Sequence, residues 1–173
     1  MDIKEAKIMG GVGAILSLVG SFVPKVGWII SIVGFVLLYL GYKKISEASG
    51  RSEIMSSFII AVVLAIIAAV IIAFGGISSF MGIFSIARGG RGGLVALGII
   101  LFILAWILSI VGYYFYRKVL DTTSEVTNVS YFKTGGLLIF IGAILMIIVV
   151  GFVLILIGRI FEIIAFFSLP DTI

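Results

Sequence analysis

Residues 54–75 read Ile-Met-Ser-Ser-Phe-Ile-Ile-Ala-Val-Val-Leu-Ala-Ile-Ile-Ala-Ala-Val-Ile-Ile-Ala-Phe-Gly. The run holds no charged side chain and, wound as a helix, extends about 33 Å at 1.5 Å per residue. A bilayer's hydrocarbon core is about 30 Å thick, and a spanning helix needs about 17–25 apolar residues. Four more stretches of this kind lie around it. Scanning with a window of about 19 residues places them near 8–23, 26–42, 94–116 and 135–157. Pro24-Lys25, Lys43-Lys44, Arg117-Lys118 and Arg159 close them. The expected fold is all-α: a polytopic transmembrane helical bundle of about five spans, in a single membrane domain over 1–173.

Composition agrees. The chain is 62% hydrophobic and 12% charged, against about 45–50% and about 25% for soluble domains. A globule of this size could not cover so much apolar surface, so the lipid bilayer is the expected partner. Cys and His are both absent. That excludes thiol redox work, Cys/His zinc sites, His acid–base catalysis and disulfides, and no cofactor or metal ligand set stands out. The net charge of +4 is accounted for by topology and calls for no nucleic acid.

The first two stretches are expected to form a helical hairpin at the N-terminus. One helix over 8–42 would run about 50 Å and strand Lys25 near its middle. The third apolar run reaches Ala87, too far for one span. Its remainder, 76–87, is expected to be an interfacial or re-entrant helix, with a continued tilted span as the alternative. Residues 159–169 are expected to lie along the surface or re-enter before Pro170. With five spans, Lys4, Lys7, Lys43, Lys44, Arg51, Arg117, Lys118 and Lys133 fall on one side, and Lys25, Arg88, Arg91 and Arg159 on the other. The positive-inside rule then makes the N-terminus cytoplasmic and the C-terminus external. A signal peptide is not expected, because no small-residue cleavage site follows the first apolar run. The Asn128-Val129-Ser130 sequon would fall in the cytoplasm.

Gly13, Gly20, Gly27, Gly34 and Gly41 recur every seven residues. Folded as a hairpin between Val23 and Pro24, Gly20 meets the depth of Gly27, and Gly13 that of Gly34. Small residues let membrane helices approach closely, so these five are candidates for a packing seam within the hairpin or between subunits of a homo-oligomer. Other small-residue ridges are Ser17 with Ser21, Ala105 with Ser109, and Gly151 with Gly158. Trp28-Ile-Ile-Ser-Ile-Val-Gly-Phe35 matches Trp106-Ile-Leu-Ser-Ile-Val-Gly-Tyr113. Downstream, Tyr42-Lys43-Lys44 resembles Tyr116-Arg117-Lys118, either a parallel duplication or convergence of apolar helices. The Arg88-Gly-Gly-Arg91-Gly-Gly93 stretch lacks the Lys-Ser/Thr of a phosphate loop and is expected to be a turn.

Ionisable residues inside spans are the usual functional signal. Arg159 and Glu162, three apart on one helix face, are the one candidate polar pair. Counted from Gly135 they fall at the outer interface, as an ion pair anchoring the helix end or as a site facing the bundle. Asp121 and Glu125, four apart, are a weaker carboxylate pair with no metal motif around them. Ser52 and Thr134 are candidate helix N-caps.

Several phrases carry a family resemblance. Lys7-Ile-Met-Gly-Gly-Val-Gly-Ala-Ile-Leu opens the chain, and Ile32-Val-Gly-Phe-Val-Leu-Leu-Tyr-Leu precedes Lys44-Ile-Ser-Glu. Tyr131-Phe132-Lys133-Thr-Gly-Gly opens the fifth stretch, and Val149-Val-Gly-Phe-Val-Leu-Ile-Leu-Ile-Gly leads to Ala165-Phe-Phe-Ser-Leu-Pro170. In this order they resemble an archaeal family of small multi-span membrane proteins of unknown function. The resemblance implies a protein of an archaeal cell membrane and transfers no activity or site residue. From the residues themselves, the expectation is a non-enzymatic membrane protein working through helix packing or assembly, with no clear small-molecule substrate. The alternative is a small channel or transporter for an ion or apolar solute.

Overall fold

The computed structural model describes residues 3–88 and 92–172. Among them stand six α-helices: α1 (Lys4–Gly20), α2 (Gly27–Ser49), α3 (Glu53–Ala87), α4 (Gly93–Thr127), α5 (Ser130–Ile144) and α6 (Val149–Phe167). Four of them, α2, α3, α4 and α6, are long and apolar enough to cross a membrane, and α5 is a shorter apolar helix. The chain forms two compact units, residues 1–58 with 115–173, and residues 59–114.

In the first unit α1 packs against α2 and α6, and α5 packs against α6. The α1–α2 turn is built on Pro24 and Lys25. Lys25 adopts the left-handed conformation at φ 65°, and Gly27 N–H reaches back to the Val23 carbonyl at 3.1 Å. The helices beyond the turn run close enough that side chains would collide. A Cβ on Gly13 would lie 2.7 Å from the Gly34 carbonyl oxygen, and one on Gly20 would lie 2.7 Å from that of Gly27. Gly41 faces Gly10 in the same way, at 2.6 Å from its Cα. At its far end α2 stops at Gly50, whose φ of 68° forms the left-handed cap that glycine adopts without steric cost.

The apolar run after Lys133 differs from expectation. It is not one span over 135–157 followed by a surface helix at 159–169. It folds back at 145–148, so α5 and α6 form a second hairpin and 159–167 belongs to α6. The turn is Leu-Met-Ile-Ile, which no hydropathy window separates from a helix. Glycines permit it. A Cβ on Gly151 would collide with the Leu145 carbonyl group, one on Gly142 would lie 2.7 Å from the Gly151 oxygen, and one on Gly135 would lie 2.9 Å from the Gly158 oxygen. The fold-back also moves the C-terminus. Ile3 N–H donates to the Asp171 carbonyl at 2.9 Å, and Lys7 Nζ donates to the Leu169 carbonyl at 3.1 Å. Residues 3–7 and 169–171 therefore lie together.

In the second unit α3 continues unbroken through Ala87, so 76–87 is not a separate interfacial helix. Gly75-Gly76 does not interrupt it, because Gly75 lies on the seam to α4. Ala61, Ala68, Gly75 and Gly82 are buried at seven-residue intervals, as are Gly98, Ala105 and Gly112 on α4. The two rows run antiparallel. A Cβ on Gly98 would lie 2.7 Å from the Gly75 oxygen, and one on Gly112 would lie 3.5 Å from the Ala61 oxygen. A seven-residue period holds such rows on one line along each helix. Large residues off that line, among them Phe74, Phe80 and Phe102, are exposed. Residues 89–91 of the Arg88–Gly93 stretch, Arg91 included, lie outside the described residues.

Candidate functional site

Late in α6, the (i, i+3) spacing puts Arg159 and Glu162 on one face. They pair at 2.9 Å, Arg159 Nη1 to Glu162 Oε2. The fold-back at 145–148 places the pair within α6, in the first unit. Glu162 is fully buried, whereas the Arg159 side chain keeps 26% of its surface exposed.

Two tyrosines complete the arrangement. Tyr42 of α2 donates its hydroxyl to Glu162 Oε1 at 2.7 Å. Tyr116 of α4 donates its own to the same oxygen. Arg159 Nη1 in turn donates to the Tyr116 hydroxyl at 2.8 Å, and its guanidinium lies 4.8 Å above the Tyr116 ring. Tyr116 thus accepts from the cation, donates to the carboxylate and offers the cation a ring face. The four residues of the site come from three helices.

Aromatic rings exclude water around it. The Tyr42 ring lies 5.1 Å from Phe166, 5.6 Å from Phe58, and 6.5 Å from both Tyr116 and Phe132. Phe132 and Phe166 stand edge to face at 5.1 Å. A carboxylate in such surroundings is tolerated only when a cation and hydrogen-bond donors engage it, and this one has both. Its two oxygens accept three bonds. The arrangement is chemically that of a charge-assisted clasp joining α2, α4 and α6.

The other sequence candidates fall elsewhere. Gly13, Gly20, Gly27, Gly34 and Gly41 line the α1–α2 contact. Asp121 and Glu125 do not act as a pair, since Asp121 bridges to Arg117 at 3.3 Å and Glu125 to Arg51 at 3.6 Å. Ser52 directly precedes α3, whereas Thr134 lies inside α5, whose N-cap position is Val129. Trp28 sits in the first turn of α2, two-thirds exposed, and Trp106 is in α4. Among the described residues, no group of three Asp or Glu could hold a metal. Sequence reasoning did not find Tyr42 and Tyr116 as site residues. The signal was the resemblance of Tyr42-Lys43-Lys44 to Tyr116-Arg117-Lys118, because the matched tyrosines converge on one carboxylate.

Comparison with known proteins gives no solved structure that matches the chain. An uncharacterized protein of Methanocaldococcus jannaschii, MJ1644, is 41% identical over 176 residues, covering 99% of this chain and 95% of that protein. A family model also matches residues 30–160, a range that takes in Tyr42, Phe58, Tyr116 and Arg159. The chain therefore belongs to the family described as "Protein of unknown function (DUF996)", as the archaeal resemblance of its phrases implied.

Proposed function

We propose that this is a multi-pass cell-membrane protein that works through helix packing and assembly rather than catalysis, with both chain ends in the cytoplasm. The supporting observation is the closed state of Glu162. A carboxylate with no exposed surface, engaged through both oxygens by Tyr42, Tyr116 and Arg159, is committed to holding helices together and has no open approach for a substrate. The glycine rows add a second means of close packing. The orientation follows from charge: Lys4, Lys7, Lys43, Lys44, Arg51, Lys118 and Lys133 cluster around the chain ends and the α2–α3 and α4–α5 connections, the bias expected of a cytoplasmic face.

A channel or transporter for an ion or apolar solute rests on one observation. Arg159 is partly exposed and touches the buried carboxylate, so displacing its side chain would open Glu162 to the surface. Liposome flux assays separate the two. Under the packing proposal, wild type and Glu162→Gln move no ion or small solute, and mass measurement in detergent shows a defined homo-oligomer. Flux in wild type that Glu162→Gln abolishes would overturn the packing proposal, and a strict monomer would remove its assembly part.

A further inference from the structure

We infer that the α5–α6 hairpin is re-entrant: its tip, residues 144–150, ends among lipid acyl chains and does not emerge on the far side of the membrane. The inference rests on the membrane assignment above and adds to it a lipid-facing surface.

Length is the first support. From Lys133, the last cationic residue before the tip, α5 runs about 18 Å to Leu145. That falls about 12 Å short of a hydrocarbon core near 30 Å, and on the other leg α6 runs about 15 Å from Val149 to its first cation, Arg159. The composition of the tip is the second. Ile144, Met146, Ile147, Ile148, Val149 and Val150 are all exposed, Ile147 at 66% and Val149 at 82%. Water at that tip would solvate a continuous apolar knob, whereas acyl chains are its natural cover. Backbone pairing is the third. Leu145 N–H donates to the Ile141 carbonyl at 3.0 Å, Ile148 N–H to Leu145 at 2.9 Å and Gly151 N–H to Ile148 at 2.9 Å. Pairing these three amides within the turn lowers the cost of a hydrocarbon setting.

The α1–α2 hairpin of the same unit makes the contrast. Its legs run about 20 Å from Lys7 to Gly20 and about 24 Å from Lys43 to Gly27, so length alone does not part the hairpins; its turn, however, holds Ser21, Pro24 and Lys25, with exposed Trp28 beside them. A basic side chain with a neighbouring tryptophan is the composition of a membrane–water interface. Within one unit, one hairpin ends in interfacial residues and the other in aliphatic ones.

The chain contains no cysteine, so single introduced thiols report without background. Ile147→Cys and Lys25→Cys would be treated in sealed vesicles with a membrane-impermeant maleimide on each side in turn. A thiol in hydrocarbon stays protonated and unreactive. Lys25→Cys is expected to label from the side opposite the chain ends. Ile147→Cys is expected to label at least tenfold less from either side, and a nitroxide placed there should collide with oxygen far more than with a water-soluble nickel chelate. Labelling of Ile147→Cys from the far side at the rate of Lys25→Cys would overturn the inference and leave the membrane assignment standing. Release of the protein from membranes by carbonate would overturn the membrane assignment, and the inference with it.

Discussion

Replacing Glu162 by Leu removes one acceptor group and disturbs three donors. The Tyr42 and Tyr116 hydroxyls lose their bonds to Oε1, and Arg159 loses its bond to Oε2. Hydrogen bonds between membrane helices average about 0.6 kcal/mol and reach about 1.7, so two tyrosine bonds to a carboxylate, near the top of that range, contribute about 2–3 kcal/mol together. Orphaning a buried cation costs about 3–5 kcal/mol. Arg159 is 26% exposed and retains the Tyr116 hydroxyl, so only a minor part of that cost, about 1 kcal/mol, applies. The expected destabilisation is about 3–4 kcal/mol. The assay is equilibrium unfolding by sodium dodecyl sulfate from mild micelles, followed through Trp28 and Trp106 fluorescence. A cycle sharpens it: Arg159→Met alone leaves the carboxylate buried without its cation and is costly, yet Arg159→Met with Glu162→Leu is expected to recover about 2 kcal/mol relative to the sum of the singles, because an apolar pair needs no compensation. A loss below about 1 kcal/mol for Glu162→Leu, or strict additivity of the pair, would refute the clasp.

Two further outcomes follow from the backbone. Gly13→Ala sets a Cβ 2.7 Å from the Gly34 oxygen and is expected to lower unfolding stability by about 1–3 kcal/mol. Gly76→Ala meets nothing within 4 Å and is expected to gain about 0.5–1 kcal/mol from helix propensity, so equal effects at the two sites would contradict the seam. Lys25→Gly relieves a left-handed lysine at φ 65° and is expected to stabilise the first hairpin by about 1 kcal/mol, read as a higher melting temperature.

The legible parts of the molecule are those where a polar signal coincides with a structural event. Pro24-Lys25 marks the first turn, so the hairpin and its glycine register can be read from the sequence. The turn at 145–148 carries no such mark, and the glycine spacing slips from seven to nine between Gly142 and Gly151, so the second hairpin reads as one span. The continuity of α3 is hidden for the opposite reason: Gly75-Gly76 looks like a break, yet one glycine packs against α4 and the other faces open space. At the site, the pairing of Arg159 with Glu162 follows from helical spacing alone. Its depth does not, because depth depends on the fold-back. Tyr42 and Tyr116 reach Glu162 across separations of 120 and 46 residues, and no local pattern encodes that meeting.

Those separations set an order of assembly during synthesis. Each glycine row joins helices adjacent in the chain, so its partners are available as soon as a hairpin has left the ribosome. The carboxylate that receives both tyrosines lies in the last helix. Until residue 162 is made, two hydroxyls wait in an apolar setting with no acceptor at Glu162. A nascent chain stalled before α6 would hold its early hairpins packed but unfastened, exposing to quality-control proteases a state that the emergence of α6 removes.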